Sequence, residues 1–147
     1  MDTRISEIIK DKGPWVLTID KNASVFDAIK LMEERRVGSI MVMENDEVCG
    51  IFTERDYLRR ITLKGRTSRE TPIHEVMTTD VIFVNPTYTV GQCMSIMSEK
   101  KLRHLPVVDA GALVGLISIG DCVKRVSKDA QAQVHYLTEY VTGKYPG

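Results

Sequence analysis

Two short segments of this chain pair a hydroxyl residue with an aspartate three positions later. The first is Gly50–Asp56 (GIFTERD), and the second is Gly115–Asp121 (GLISIGD). In each, an apolar run predicts a strand, and Thr53 or Ser118 then opens a helix. A hydroxyl at this position is a good N-cap, and an acid in the first turn suits the helix dipole. For either segment taken alone, a helix cap is the stronger interpretation.

The same residue types can also bind a nucleotide. The N-terminus of a helix offers free N–H groups and a positive dipole to a phosphate, and the hydroxyl adds another donor. An aspartate carboxylate can accept two hydrogen bonds from a ribose diol. Because both segments keep the hydroxyl, the aspartate and their spacing, we interpret them as a duplicated nucleotide site.

These segments belong to a longer internal repeat. The stretch Val16–Ile61 recurs as Val81–Val126, at an offset of 65 residues and without a gap. A shorter match, Ile5–Ile9 against Ile73–Met77, comes before each copy at an offset of 68. Two similar units are too few for a solenoid. They indicate two repeats that pack about a pseudo-twofold axis.

Each copy has the same predicted elements. Short strands at Val16–Ile19 and Val81–Val84 are followed by helices that Ser24 and Thr89 can cap. Two apolar runs with a polar turn then predict a hairpin, and a second helix follows. The predicted unit is strand, helix, strand, strand, helix, in an α+β fold. We expect repeat 1 at residues 1–65, repeat 2 at 66–127 and a helical tail at 128–147.

Composition excludes several classes of partner. The chain has 147 residues, with 20 basic and 20 acidic side chains and a formal net charge of zero. We therefore expect no binding to nucleic acid or to an acidic membrane. No apolar run reaches the roughly 20 residues that span a bilayer, and no signal peptide is visible, so the expected location is cytoplasmic. Three cysteines without CxxC spacing predict no disulfide framework and no metal site.

With these motifs in view, the duplicated unit resembles the CBS domain, named after cystathionine beta-synthase. About residues 1–127 resemble a tandem CBS pair, or Bateman module, and the most typical segments are Gly50–Tyr57, Arg103–Val108 and Gly115–Asp121. The resemblance implies a regulatory module that senses an adenosine-containing ligand. AMP is the first candidate, followed by ATP, ADP or NAD, with S-adenosylmethionine also in the family's range. It further implies a homodimer, associated through helices, that acts on an unknown protein partner.

The resemblance also implies two clefts between the repeats, each with an aspartate from one repeat and a strand edge from the other. The first would use Thr53, Arg55 and Asp56 with Asp80, Ile82, Leu102, Arg103, His104 and Pro106. The second would use Ser118 and Asp121 with Trp15, Leu17, Val37, Gly38 and Ser39. Because Arg55 and Arg103 suit phosphate oxygens, we expect phosphorylated ligands to bind more tightly in the first cleft.

Two alternatives stay open. The chain could be a dimerisation scaffold that binds no ligand, although the intact pairs of Thr53 with Asp56 and Ser118 with Asp121 argue against this. It could also carry the name of IMP dehydrogenase, an enzyme that contains a CBS pair. The repeats leave no room for a catalytic barrel of about 250 residues, so we expect no catalytic residues, no catalytic cofactor and no enzymatic activity.

Overall fold

Helices and strands follow one another in the order that the repeat predicts, except that the strand predicted at Val81–Val84 is not formed. The structure, a computed structural model, describes residues 2–13 and 15–141, with side chains up to residue 131. The helices are α1 (Ile5–Lys12), α2 (Val25–Arg35), α3 (Glu54–Asp56), α4 (Val90–Lys100) and α5 (Ile119–Val141). The strands are β1 (Thr18–Asp20), β2 (Ser39–Glu44), β3 (Glu47–Thr53), β4 (His104–Asp109) and β5 (Ala112–Ser118). A π-helix (Tyr57–Thr62) continues α3, and 3₁₀ turns occupy Ser68–Glu70 and Ile73–Glu75. The α+β class is confirmed.

The chain divides into two compact units. One spans Trp15–Ile82, and the other combines Met1–Pro14 with Phe83–Gly147. Each unit therefore contains the body of one repeat and the short segment that comes before the other repeat in the chain. The limits expected from sequence, 1–65 and 66–127, follow chain order and do not describe this exchange of leading segments.

The unit of residues 15–82 is built on a three-stranded sheet in the order β1-β2-β3. Strand β1 is parallel to β2, and β2 is antiparallel to β3 with a register shift between Val42 and Met43. Helix α2 begins at the cap Ser24, whose hydroxyl accepts from the Asp27 amide at 3.1 Å. The helix buries its apolar face in the core of this unit, as the 3.6-residue spacing predicts. The core residues are Val25, Ala28, Met32, Ile40, Val42, Phe52, Ile61, Ile73 and Val76.

The second unit repeats this pattern around the hairpin of β4 and β5. Its register shift lies between Val107 and Val108, at the position equivalent to the shift in the first hairpin. Helix α4 begins at Thr89, which forms a capping box with Gln92. The buried residues of this unit include Ile5, Ile8, Val84, Val90, Cys93, Met97, Leu105, Val107, Ile117 and Cys122.

The strand predicted at Val81–Val84 is reduced to a single parallel bridge between Val84 and Val107. In the first repeat, β1 is held by the amide N–H groups of Lys21 and Met41, which donate to carbonyl groups across the parallel pair. At the equivalent positions the second repeat has Pro86 and Pro106. Proline has no N–H to donate, so the pairing does not extend into a strand.

Helix α5 continues from the end of β5 through Lys128 to Val141, so the first part of the expected tail is helical. The side chains beyond residue 131, and all of residues 142–147, lie outside the described part of the chain. None of the helices described here has the length and hydropathy needed to cross a bilayer.

Candidate functional site

Strand β3 ends at Thr53, the first of the two predicted hydroxyl residues. Its backbone is extended (φ −121°, ψ 166°), and its side chain caps helix α3. The Thr53 amide donates to Oδ2 of Asp56 at 3.0 Å, and the Asp56 amide donates to the Thr53 hydroxyl at 3.2 Å. This reciprocal pair satisfies two amides that the helix itself cannot. The predicted cap is therefore confirmed.

The carboxylate of Asp56 has further partners in its own unit. The hydroxyl of Thr78 donates to Oδ1 at 3.0 Å and lies 3.3 Å from Oδ2. Nε of Arg60 lies 3.9 Å from Oδ1, while the same guanidinium donates to the carbonyl groups of Val76 and Met77. Asp56 is only 7% exposed. Both of its carboxylate oxygens are thus already engaged.

The second pair forms the same cap. The Ser118 amide donates to Oδ2 of Asp121 at 2.9 Å, and the Asp121 amide donates to the Ser118 hydroxyl at 3.0 Å. Here the additional partner is a lysine in direct contact with the carboxylate. Nζ of Lys12 lies 2.8 Å from Oδ2 of Asp121 and donates to the Leu116 carbonyl at 2.9 Å. The two aspartates are therefore alike in their caps and different in their other partners.

Lys12 is not among the residues predicted from sequence, although it follows the short segment Ile5–Ile9 that matches Ile73–Met77 at an offset of 68. Helix α1 packs on β5, where a Cβ on Gly115 would lie 3.1 Å from the Ile9 side chain. The equivalent contact in the other unit is between Gly50 and Met77, where a Cβ would lie 2.5 Å from the sulfur. Because the leading segments occupy equivalent places on their strands, the residues that follow them come close to the two aspartates.

The helix N-termini offer fewer free N–H groups than the sequence argument assumed. The Glu54 amide donates to the Gly38 carbonyl at 3.1 Å, and the Ile119 amide donates to the Arg103 carbonyl at 2.8 Å. The aspartate amide of each helix is taken by the cap. Two of the first three amides in each helix are therefore engaged inside their own repeat.

His104 lies in the same unit as Asp121 and is paired with Ser118 across β4 and β5. Burial lowers the pKa of His104 below its ordinary value, and the charges of Lys12 and Arg103 lower it further, against the opposite effect of Asp121. A neutral imidazole therefore lies within the electrostatic range of the Lys12–Asp121 pair at neutral pH.

The candidate residues divide between the two units. In the unit of residues 15–82 lie Trp15, Leu17, Val37, Gly38, Ser39, Thr53, Arg55, Asp56, Asp80 and Ile82. In the other unit lie Leu102, Arg103, His104, Pro106, Ser118 and Asp121. Arg55, Asp80 and Arg103 are exposed, which leaves their charges open to a ligand, whereas Pro106 is buried.

Trp15 and Ser39 have contrasting environments. Trp15 is 48% exposed, and the guanidinium of Arg35 lies 5.0 Å from the centre of its ring. The positive guanidinium is attracted to the negative face of the indole ring. Ser39 is 1% exposed, and its hydroxyl has no hydrogen-bond partner within the described residues. A buried hydroxyl without a partner carries a desolvation cost.

The cysteines do not form a reactive centre. Cys93 and Cys122 are buried, and burial raises the pKa of each thiol to about 11. Burial also raises the pKa of Cys49. A thiol with a raised pKa is protonated at neutral pH and is a poor nucleophile. Within residues 2–13 and 15–131, no group of three or more His, Cys, Asp or Glu side chains could hold a metal ion.

Comparison with known proteins gives consistent matches. The family model for the CBS domain matches residues 16–63 and 73–128. The chain is 36% identical to the CBS domain-containing protein CBSX3, mitochondrial, of Arabidopsis thaliana, over 97% of this chain and 74% of that protein. It is 34% identical to the CBS domain-containing protein YhcV of Bacillus subtilis, over 78% of this chain and 82% of the relative.

Solved structures of CBS-domain proteins also match this chain. A protein with CBS domains from Burkholderia ambifaria MC40-6 is 46% identical, with a TM-score of 0.84. The alignment covers 86% of this chain and 96% of that one. A CBS-domain protein from Agrobacterium tumefaciens is 33% identical, with a TM-score of 0.81 over 84% of this chain and 99% of the other.

Proposed function

Because this chain belongs to the CBS-domain family, we propose that it is a regulatory module that binds an adenosine-containing nucleotide. AMP is the first candidate, and ATP, ADP and NAD come next. Proteins with CBS domains are generally regulatory and bind ligands. In this chain, the ligand would be an adenine nucleotide. Its binding would change how the module acts on an unidentified protein partner.

One observation carries this proposal. The hydroxyl–aspartate pair occurs in both repeats with matching geometry, since the amide-to-Oδ2 distances are 3.0 Å for Thr53–Asp56 and 2.9 Å for Ser118–Asp121. A cap of this kind needs only one carboxylate oxygen and fixes the orientation of the other. An oriented carboxylate at the end of a strand is a suitable acceptor for a ribose diol. Among the described residues, the cap leaves Oδ1 of Asp121 open to a ligand, whereas a ligand at Asp56 would share Oδ1 with the Thr78 hydroxyl.

We propose that the chain regulates and does not catalyse. The relatives compared above are called CBS domain-containing proteins, with no enzyme named. The buried thiols with raised pKa values are unsuited to nucleophilic chemistry. A nucleotide would then be a regulatory ligand and not a catalytic cofactor. A cytoplasmic location stays a prediction.

We also propose that the chain forms a homodimer. Leu58 and Val123 occupy equivalent positions in the two repeats, on the helices that follow β3 and β5, and they are 57% and 52% exposed. Exposed apolar side chains at the same place in both repeats suit a contact with a second copy of the same surface.

Isothermal titration calorimetry of the whole chain with AMP, ATP, NAD and S-adenosylmethionine tests the nucleotide proposal. We expect saturable binding of at least one of them. We expect Asp56→Asn and Asp121→Asn, which keep the side-chain shape, to weaken binding at their own half-sites. Asp46→Asn is the matched control, because Asp46 is exposed in the turn between β2 and β3. Absence of heat with all four ligands would favour the scaffold alternative.

A further inference from the structure

Lys12 contacts Asp121, and the family resemblance gave this lysine no role. It lies at the end of α1, 109 residues from Asp121 in sequence, yet its Nζ is 2.8 Å from Oδ2 of that residue. The Lys12 side chain is 42% exposed and that of Asp121 is 21% exposed. This ion pair is therefore open to a ligand in solution.

The hydrogen bonds around this pair leave both a donor and an acceptor unused among the described residues. An ammonium group has three N–H donors, and Lys12 uses two of them, on Leu116 and Asp121. The bonds to the Asp121 carboxylate all end on Oδ2. Oδ1 of Asp121 can accept from a hydroxyl, and the third N–H of Lys12 can donate to an anion beside it.

The first repeat has the opposite arrangement. Both oxygens of Asp56 are engaged, by Thr53, Thr78 and the more distant Arg60. At the offset of 68 that relates the leading segments, the residue equivalent to Lys12 is Asp80, an acid. Among the described residues, the half-site whose aspartate keeps an unused carboxylate oxygen is therefore also the one with a lysine beside it.

We propose that Lys12 is a specificity-determining residue that makes the Asp121 half-site prefer a nucleoside phosphate over the unphosphorylated nucleoside. In this arrangement Oδ1 of Asp121 accepts from the ribose diol, and the Lys12 ammonium donates to a phosphate oxygen. The inference rests on the proposed nucleotide function and deepens it. The arginines Arg55 and Arg103 predict tighter phosphate binding at the half-site of Asp56, and Lys12 adds a phosphate contact at the half-site of Asp121.

The test compares AMP with adenosine by calorimetry on the whole chain. We expect Lys12→Met to weaken AMP binding about tenfold or more, as for the loss of one charge-assisted hydrogen bond, and to change adenosine binding by less than about twofold. Lys12→Arg keeps the charge and should retain most of the preference for AMP. Lys10→Met is the matched control, because Lys10 is exposed on the same helix and forms no ion pair with the described residues.

A double-mutant cycle locates the effect. In an Asp121→Asn background, Lys12→Met should cause little further loss of AMP affinity, whereas in an Asp56→Asn background its full effect should remain. Since a partly exposed ion pair adds little to stability, thermal unfolding of Lys12→Met should stay close to that of the native chain.

Three results would overturn the inference alone: equal losses for AMP and adenosine, no loss for either, or an equally large effect of Lys12→Met in the Asp121→Asn background. In each of these cases the native chain still binds a nucleotide or nucleoside. Absence of binding of AMP, ATP, NAD and adenosine to the native chain would instead overturn the proposed function.

Discussion

The hydroxyl of Thr78 donates to the buried carboxylate of Asp56, 3.0 Å from Oδ1 and 3.3 Å from Oδ2. Thr78 also bridges to Ile51 of β3 through its backbone, with N–O distances of 2.8 and 2.9 Å. This residue therefore connects the segment after the 3₁₀ turn at Ile73–Glu75 with both the sheet and the aspartate. A buried carboxylate needs such donors, because removing them leaves the charge poorly solvated.

The first prediction concerns the hydrogen bond from the Thr78 hydroxyl to the Asp56 carboxylate. Thr78→Val keeps the shape of the side chain and removes its donor, so we expect the free energy of unfolding to fall by about 1.5–3 kcal/mol. Urea denaturation measures the change. Thr79→Val is the control, because Thr79 is the exposed neighbour. Similar losses in the two variants would show that the bond to Asp56 is not the cause.

The second prediction compares two equivalent glycines. A Cβ on Gly50 would lie 2.9 Å from the carbonyl oxygen of Thr78 as well as 2.5 Å from the Met77 sulfur. A backbone atom cannot move aside cheaply, so we expect Gly50→Ala to destabilise the chain by about 1–3 kcal/mol. Gly115→Ala meets only the Ile9 side chain, at 3.1 Å, and should cost less. The denaturant midpoints of the two variants can be compared if their denaturant dependence (m-value) is equal. A larger loss of stability in Gly115→Ala than in Gly50→Ala would contradict the packing described here.

The third prediction concerns pH. His104 has a lowered pKa in the folded chain, mainly because of burial and then because of Lys12. The unfolded state binds the proton more readily, since its pKa is near the ordinary value of about 6.5. The stability contribution is therefore present above pH 6.5 and is lost as the pH falls from that value through the folded pKa.

His104→Gln should make the unfolding free energy less dependent on pH over this window. Thermal or urea unfolding at pH values from about 7.5 to about 5, on either side of the ordinary histidine pKa, measures how steeply the unfolding free energy depends on pH. His74→Gln serves as the control because His74 is exposed. An unchanged slope in His104→Gln, with the native fold retained, would refute the assignment.

The fourth prediction concerns self-association. Leu58→Lys and Val123→Lys place a charge at the two equivalent exposed apolar positions. If a second copy covers these positions, a desolvated charge there is costly, and sedimentation velocity should show a shift from dimer toward monomer. Thr62→Lys adds the same charge at a neighbouring exposed residue and should leave the dimer intact. A monomeric native chain at high concentration would contradict the proposed homodimer.

Much of the fold could be predicted from residues that are close together in the sequence. The caps Ser24, Thr89, Thr53 and Ser118 are all confirmed. Each cap acts on an amide three residues away, so its effect can be read from a short segment. The loss of the strand at Val84 could also have been predicted from the sequence, because Pro86 and Pro106 lack N–H donors.

The sequence by itself determined the duplication, the order of helices and strands, and the two hydroxyl–aspartate caps, because periodicity and capping depend on neighbours within one or two turns. Only the tertiary structure decided which leading segment packs on which repeat, and hence that Thr78 bonds to Asp56 while Lys12 bonds to Asp121. An ion pair across 109 residues depends on how α1 packs against β5. The two aspartates are equivalent in sequence, and packing gives Asp56 the Thr78 hydroxyl with Arg60 at 3.9 Å, and gives Asp121 a lysine at 2.8 Å.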